Sequence, residues 1–214
     1  ASGWIYSYGE EDWFTNATAI ARTKAGITYC NTHGLDISAI GFGWCWDMYV
    51  GTASSLLDPV YGMRWSGVSI GGPEGNRAWG LDAEDYSVTG NSVCLDTYLA
   101  ATQAYIDHCK SQGYSTKVFF TTGPVDTYYT SGGGFLGYQA DLKQQRIRNY
   151  VLADSTRILF DYADILCYDD GSENPTTYTY NGNVFNMITP KNGSPDEVGH
   201  ISNAGALRLA KAMW

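Results

Sequence analysis

Lys117-Val118-Phe119-Phe120-Thr121-Thr122, stopped by Gly123-Pro124, is the stretch on which the fold turns. A short run of apolar and β-branched residues ended by turn formers reads as a buried strand. Upstream of it, Leu95, Tyr98, Leu99, Thr102, Tyr105, Ile106 and Cys109 recur at helical spacing. They predict an amphipathic helix that stops before Gly113. Residues 37–42 form another short apolar run, suited to a buried parallel strand, and end in Gly43-Trp44-Cys45-Trp46-Asp47. Before them, Phe14, Ala17, Ile20, Ala21, Ile27 and Tyr29 give a helical stripe over residues 13–31, closed by His33-Gly34. Glycine suits the C-cap, and a histidine there is a partner for the helix dipole. Residues 3–7 read as a short apolar strand running into Ser7-Tyr8-Gly9.

Downstream, Tyr138, Leu142, Ile147, Tyr150 and Val151 predict a further helix after a glycine-rich loop at residues 132–134. Residues 163–168, Ala-Asp-Ile-Leu-Cys-Tyr, read as a strand followed by a polar loop over 169–179. Asn181-Gly182 predicts a tight turn. Asn203 is expected to cap a last helix through Trp214, with Ala206, Leu207, Ala210 and Met213 on one face. Strands alternating with helices predict one α/β domain over residues 1–214, a three-layer α/β/α sandwich around a central parallel sheet. Its site is expected at the carboxyl ends of the strands. Four segments should meet there: residues 7–11, 43–47, 121–126, and the loop leading to His200.

Composition narrows the function. The 214 residues carry a net charge of −9, and the 13 Lys and Arg are scattered, so the clustered basic stripe of a nucleic-acid surface is missing. No apolar run approaches the ~18 residues of a membrane span. The chain is rich in Gly (25), Tyr (17) and Trp (7), and aromatics beyond the needs of a core suit stacking on sugars. Five cysteines are an odd number, and no CxxC occurs. Cys94 and Cys109 are expected on one helix, about 22 Å apart, too far to pair. Most of the cysteines read as small buried hydrophobes. Neither GxGxxG nor GxxxxGKS follows a strand, so the usual nucleotide-binding phosphate loops have no support. The acidic residues at 82–85 and at Asp169-Asp170 read as solvated faces or calcium-tolerant loops rather than a defined site, and neither metal nor cofactor is expected.

Residues 48–92 hold Arg64, Trp65, Arg77 and Trp79 among glycines that include Gly62, Gly67, Gly71, Gly72, Gly75 and Gly80, without a sustained period. A connection this long is rarely idle, so it reads as an insertion beside the site. Of three histidines, His33 looks like a helix end, and His108 lies mid-helix as a surface or boundary residue. His200 sits in the loop before the last helix, next to Asp196 and Glu197, as a general base with an orienting acid requires.

From Asp196 to Trp214 the chain resembles the last conserved block of the SGNH/GDSL hydrolase superfamily, in which a DxxH motif leads into the closing helix. The stretches TTGPVD (121–126), IRNY (147–150) and LFDYADI (159–165) add a looser likeness to divergent, secreted bacterial SGNH-like proteins. The resemblance implies an SGNH/flavodoxin-like sandwich with His200 as catalytic base. Three residues before His200 stands Glu197, with Asp196 one place further, and either carboxylate could orient the ring. The resemblance also implies Ser7 as nucleophile, although Gly-Asp-Ser is missing. Oxyanion donors would come from Gly43, in the place of the family's Gly-x-Asn block, and from Asn91. Trp44, Trp46, Asp47, Arg64, Trp65, Arg77 and Trp79 would hold a glycan, the arginines gripping a uronate carboxylate.

The expectation is an extracellular or periplasmic O-acyl esterase acting on a decorated polysaccharide. The alternatives are a polysaccharide lyase acting on a uronate on the same scaffold, and an inactive carbohydrate-binding domain.

Overall fold

The computed structural model describes residues 17–43, 95–123, 135–194 and 200–213. In chain order they form α1 (Ala17–Thr32), β1 (Ala39–Gly41), α2 (Leu95–Gln112), β2 (Lys117–Thr121), α3 (Phe135–Leu152), β3 (Leu159–Phe160), α4 (Tyr162–Leu166), β4 (Thr177–Tyr180), β5 (Asn183–Asn186) and α5 (Asn203–Met213). The first three strands make a parallel sheet in the order β1-β2-β3. Ala39 pairs with Lys117 and Gly41 with Phe119, while Thr121 pairs with Phe160. The protein is therefore α/β with a parallel sheet, and all three strands point their carboxyl ends the same way.

Alternation along a strand sends successive side chains to opposite faces. Val118 and Phe120 of β2, both buried, point with Ile40 and Leu159 into the main core. There they meet Ile27 of α1, Tyr98, Leu99, Tyr105 and Cys109 of α2, and Ile147 and Val151 of α3. Helices α1 to α3 thus cover one face. The opposite face carries Gly41, Phe119 and Phe160, which with Ile37, Ile158 and the end of α5 line a groove of about 960 Å³.

Several elements stand where the sequence reading puts them. Helix α1 stops at His33-Gly34, where Leu35 N–H returns to Cys30 O at 2.9 Å and Gly34 takes φ +67°. Helix α2 stops the same way at Gly113. The Asn181-Gly182 turn joins β4 to β5 with positive φ at both residues, 48° and 80°, as a two-residue hairpin turn requires.

Residues 163–168 are a correction. They are not a strand: the strand is Leu159–Phe160, and Tyr162–Leu166 is the short helix α4. Between the two, Asp161 turns its carboxylate back to accept Asp164 N–H, an N-cap that ends extended pairing. Periodicity alone does not separate a short apolar strand from a buried helical turn. Part of the expected polar loop is likewise structured, since β4 begins at Thr177.

The closing helix needs two corrections. Its cap is Ser202, whose Oγ accepts Gly205 N–H at 3.1 Å and whose carbonyl accepts Ala206 N–H. Asn203 is the first helical residue. The predicted apolar face, Ala206, Leu207, Ala210 and Met213, is exposed. Instead α5 docks through Gly205, Leu209 and Arg208: Leu209 joins a second core of Ala163, Leu166, Cys167 and Ile188, and Arg208 Nε donates to Ile165 O at 2.7 Å.

Candidate functional site at the carboxyl ends of the strands

The three strand ends are tied together by side chains. Thr121 Oγ1, at the end of β2, donates to Phe42 O, just past β1. Thr121 N–H donates to Tyr98 Oη at 2.8 Å, so α2 holds the same point. On the other side, Thr122 Oγ1 donates to Asp161 Oδ1 and accepts Ala163 N–H, both at 2.9 Å, linking β2 to the start of α4. Gly123 gives its N–H to Gln144 Oε1 at 2.9 Å and takes Gln144 Nε2–H on its carbonyl at 3.2 Å. A buried glutamine amide here replaces a neighbouring strand.

Arg148 grips Asp161 with two bonds, Nε to Oδ2 at 2.6 Å and Nη2 to Oδ1 at 2.9 Å, and lies 4.0 Å from Asp141. Asp141, Gln144 and Arg148 share one face of α3 by their helical spacing. Burial lowers the Arg148 pKa, but the hydrogen bond and charge of Asp161, with Asp164 and Asp141, outweigh it and raise the pKa overall. Burial pushes the Asp141 carboxyl above the usual carboxylate range, against the pull of Gln145 and Arg148. Thr122, Asp161 and Arg148 each have their polar atoms engaged within this network, so it is a scaffold for the strand ends rather than a set of reacting groups.

Of the residues singled out by sequence, Gly43 and His200 are described. Gly43 is exposed at the carboxyl end of β1, where it was expected. His200 is exposed in the strap between β5 and α5. Its carbonyl accepts Ser194 N–H at 2.9 Å, beside an antiparallel bridge between Gly193 and Ile201. The strap is anchored outside by Asp170, which pairs with Lys191 at 2.5 Å and Arg208 at 2.9 Å. The hydrogen bond and charge of Lys191, with Arg208 and Lys211, hold the Asp170 carboxyl below its ordinary value.

Gly43 and residues 121–123 are brought together through Thr121, while the His200 strap sits on α4, which leaves β3 at Asp161. Ser7, Trp44, Trp46, Asp47, Arg64, Trp65, Arg77, Trp79, Asn91, Asp196 and Glu197 lie outside the described residues, as do the predicted strand at 3–7 and the insertion at 48–92.

The other two histidines do structural work. His33 Nδ1 lies 2.9 Å from Tyr29 O and its ring stacks on Tyr29. His108 Nε2 meets Thr28 Oγ1 at 3.0 Å, joining α2 to α1. Cys109 and Cys167 are buried free thiols, and burial pushes both up, so neither is a thiolate nucleophile. Among the described residues no group of three or more His, Cys, Asp or Glu is placed to hold a metal ion, and no helix is long and apolar enough to cross a membrane.

Gln144, Arg148 and Asp161 were missed by sequence reasoning. The signal present was the 141, 144, 148 spacing of polar residues on a helix otherwise read for its apolar stripe. No family model, curated protein or solved structure matches the chain.

Proposed function

We propose that the chain is a carbohydrate-active hydrolase with an SGNH-like three-layer sandwich, an O-acyl esterase acting on a decorated polysaccharide outside the cell. The observation that carries this reading is the anchoring of the His200 strap to α4, the element that follows the carboxyl end of β3. Sites of parallel α/β sheets gather at that end.

In this reading Ser7 Oγ attacks the ester carbonyl while His200 takes its proton, then returns it to the departing sugar hydroxyl. Glu197 or Asp196 holds the imidazole tautomer. Gly43 N–H and Asn91 stabilise the oxyanion. The aromatic and arginine-bearing residues 44–79 hold the glycan.

Labelling with an active-site serine phosphonate, followed by peptide mapping, tests the reading on wild type and His200→Ala. A His200-dependent adduct on Ser7 is the expected result. A folded protein without that adduct overturns it. Release of an ultraviolet-absorbing unsaturated uronate from a uronate glycan would then identify a lyase, and sugar binding without turnover a binding domain.

A further inference from the structure

We infer that Asn192 is the positioning residue of the His200 strap, an inference that rests on His200 acting as the base proposed above. Asn192 is 3% exposed. Its side-chain amide donates both hydrogens, to Leu166 O at 3.0 Å and Tyr168 O at 2.9 Å. Its backbone N–H reaches Thr189, and its carbonyl accepts Ser202 N–H at 2.8 Å. One residue thereby joins the carbonyls leaving α4, the turn at 189–192 and the cap of α5.

His200 lies between the two ends of this arrangement. Ser194, two residues past Asn192, donates to His200 O, and Ser202, two residues past His200, donates to Asn192 O. Of these two bonds one ends on the Asn192 carbonyl itself, and the other starts from Ser194, two residues beyond it. An asparagine that merely formed a turn would bond its own neighbours. This amide reaches back 26 and 24 residues. Among side chains of its size, only a carboxamide offers two N–H donors to two carbonyls at once.

Gly205 presses on the same hub. A Cβ there would come within 2.4 Å of Asn192 O, a backbone atom with little room to give. Gly205→Ala therefore disturbs the hub while leaving the asparagine in place.

The test uses NMR of the whole chain with two variants, Asn192→Asp and Gly205→Ala. Asn192→Asp sets a carboxylate against two carbonyl oxygens. The expected result is about a 100-fold loss of hydrogen-exchange protection at the Ser194 and Ser202 amides, with the β2 amide of Phe120 unchanged. The His200 ring signals should move while those of His33 and His108 stay in place. His200-dependent phosphonate labelling should slow about 100-fold at an unchanged half-saturating concentration.

Unaltered Ser194 and Ser202 protection, an unmoved His200 ring, or collapse of Phe120 along with the strap in both variants overturns the inference. If wild type does not label at all, the esterase reading fails, and the exchange and ring signals still decide the role of Asn192.

Discussion

The clamp at the strand ends and the strap around His200 hold neighbouring parts of the molecule by different physics. The clamp is built from side chains out of water: a bidentate Arg148–Asp161 pair with side chains 16% and 26% exposed, a buried threonine and a buried glutamine. The strap is built from backbone hydrogen bonds around one buried amide, with its ion pairs at the surface, where Asp170 is 73% exposed. In a desolvated place a lost partner leaves an uncompensated charge, and the cost is high. At the surface water and salt replace a lost partner, and the cost is low. The two regions should therefore differ in how strongly they respond to mutation and salt, and in the sign of their response to pH.

The largest effect is expected from Asp161→Ala, which strands the Arg148 guanidinium and removes the N-cap of α4. It should cost about 2–3 kcal/mol in urea unfolding. A cost as small as that of a surface pair would erase the distinction. Gln144→Ala comes next, because it leaves both backbone groups of Gly123 without the amide that pairs them. Its expected cost is about 2 kcal/mol, read from the same unfolding curves.

Acidity should separate the regions by sign. The Asp141 pKa is raised on folding, so its charged form opposes folding, and that opposition fades as pH falls through the raised value. Asp141→Asn should stabilise the protein at neutral pH, with the gain shrinking on acidification. The Asp170 pKa is lowered, so its contribution is present above the ordinary carboxylate range and is lost as pH falls through the lowered value. Asp170→Ala should give the smallest effect of the series, a slight destabilisation at neutral pH that vanishes in acid or in molar salt. Thermal melts of both variants across pH and salt check these two outcomes. Equal signs for both would break the comparison.

Much of the scaffold was legible because its signals are local. The strand at residues 117–121, the helix stops at Gly34 and Gly113, and the Asn181-Gly182 turn each depend on a few adjacent residues. The helix-end role of His33 was legible for the same reason, whereas the bond of His108 to Thr28 spans 80 positions and was not. The misreadings had the opposite character. Residues 163–168 have the apolar content of a strand, but the Asp161 cap, held also by Thr122 and Arg148, starts a short helix that runs to Leu166. The apolar stripe of α5 was real as a pattern, but the close approach of Gly205 to Asn192 docked a different face. Of the candidate site, the sequence pointed to His200 and to Gly43, while the residues that hold their surroundings went unnoticed. Gln144 meets Gly123 across 21 positions, and Asn192 meets Leu166 across 26.

By itself the sequence determined the alternation of strands and helices and most of their ends. Hydrophobic period, glycine conformation and turn chemistry act within a few residues and are written in order along the chain. The tertiary structure alone decided which helix face is buried, where the sheet's last strand stops, and which polar side chains are withdrawn from water to fasten the strand ends and the His200 strap. Those outcomes depend on desolvation and on hydrogen-bond partners distant in sequence, and neither is a property of any short stretch of residues.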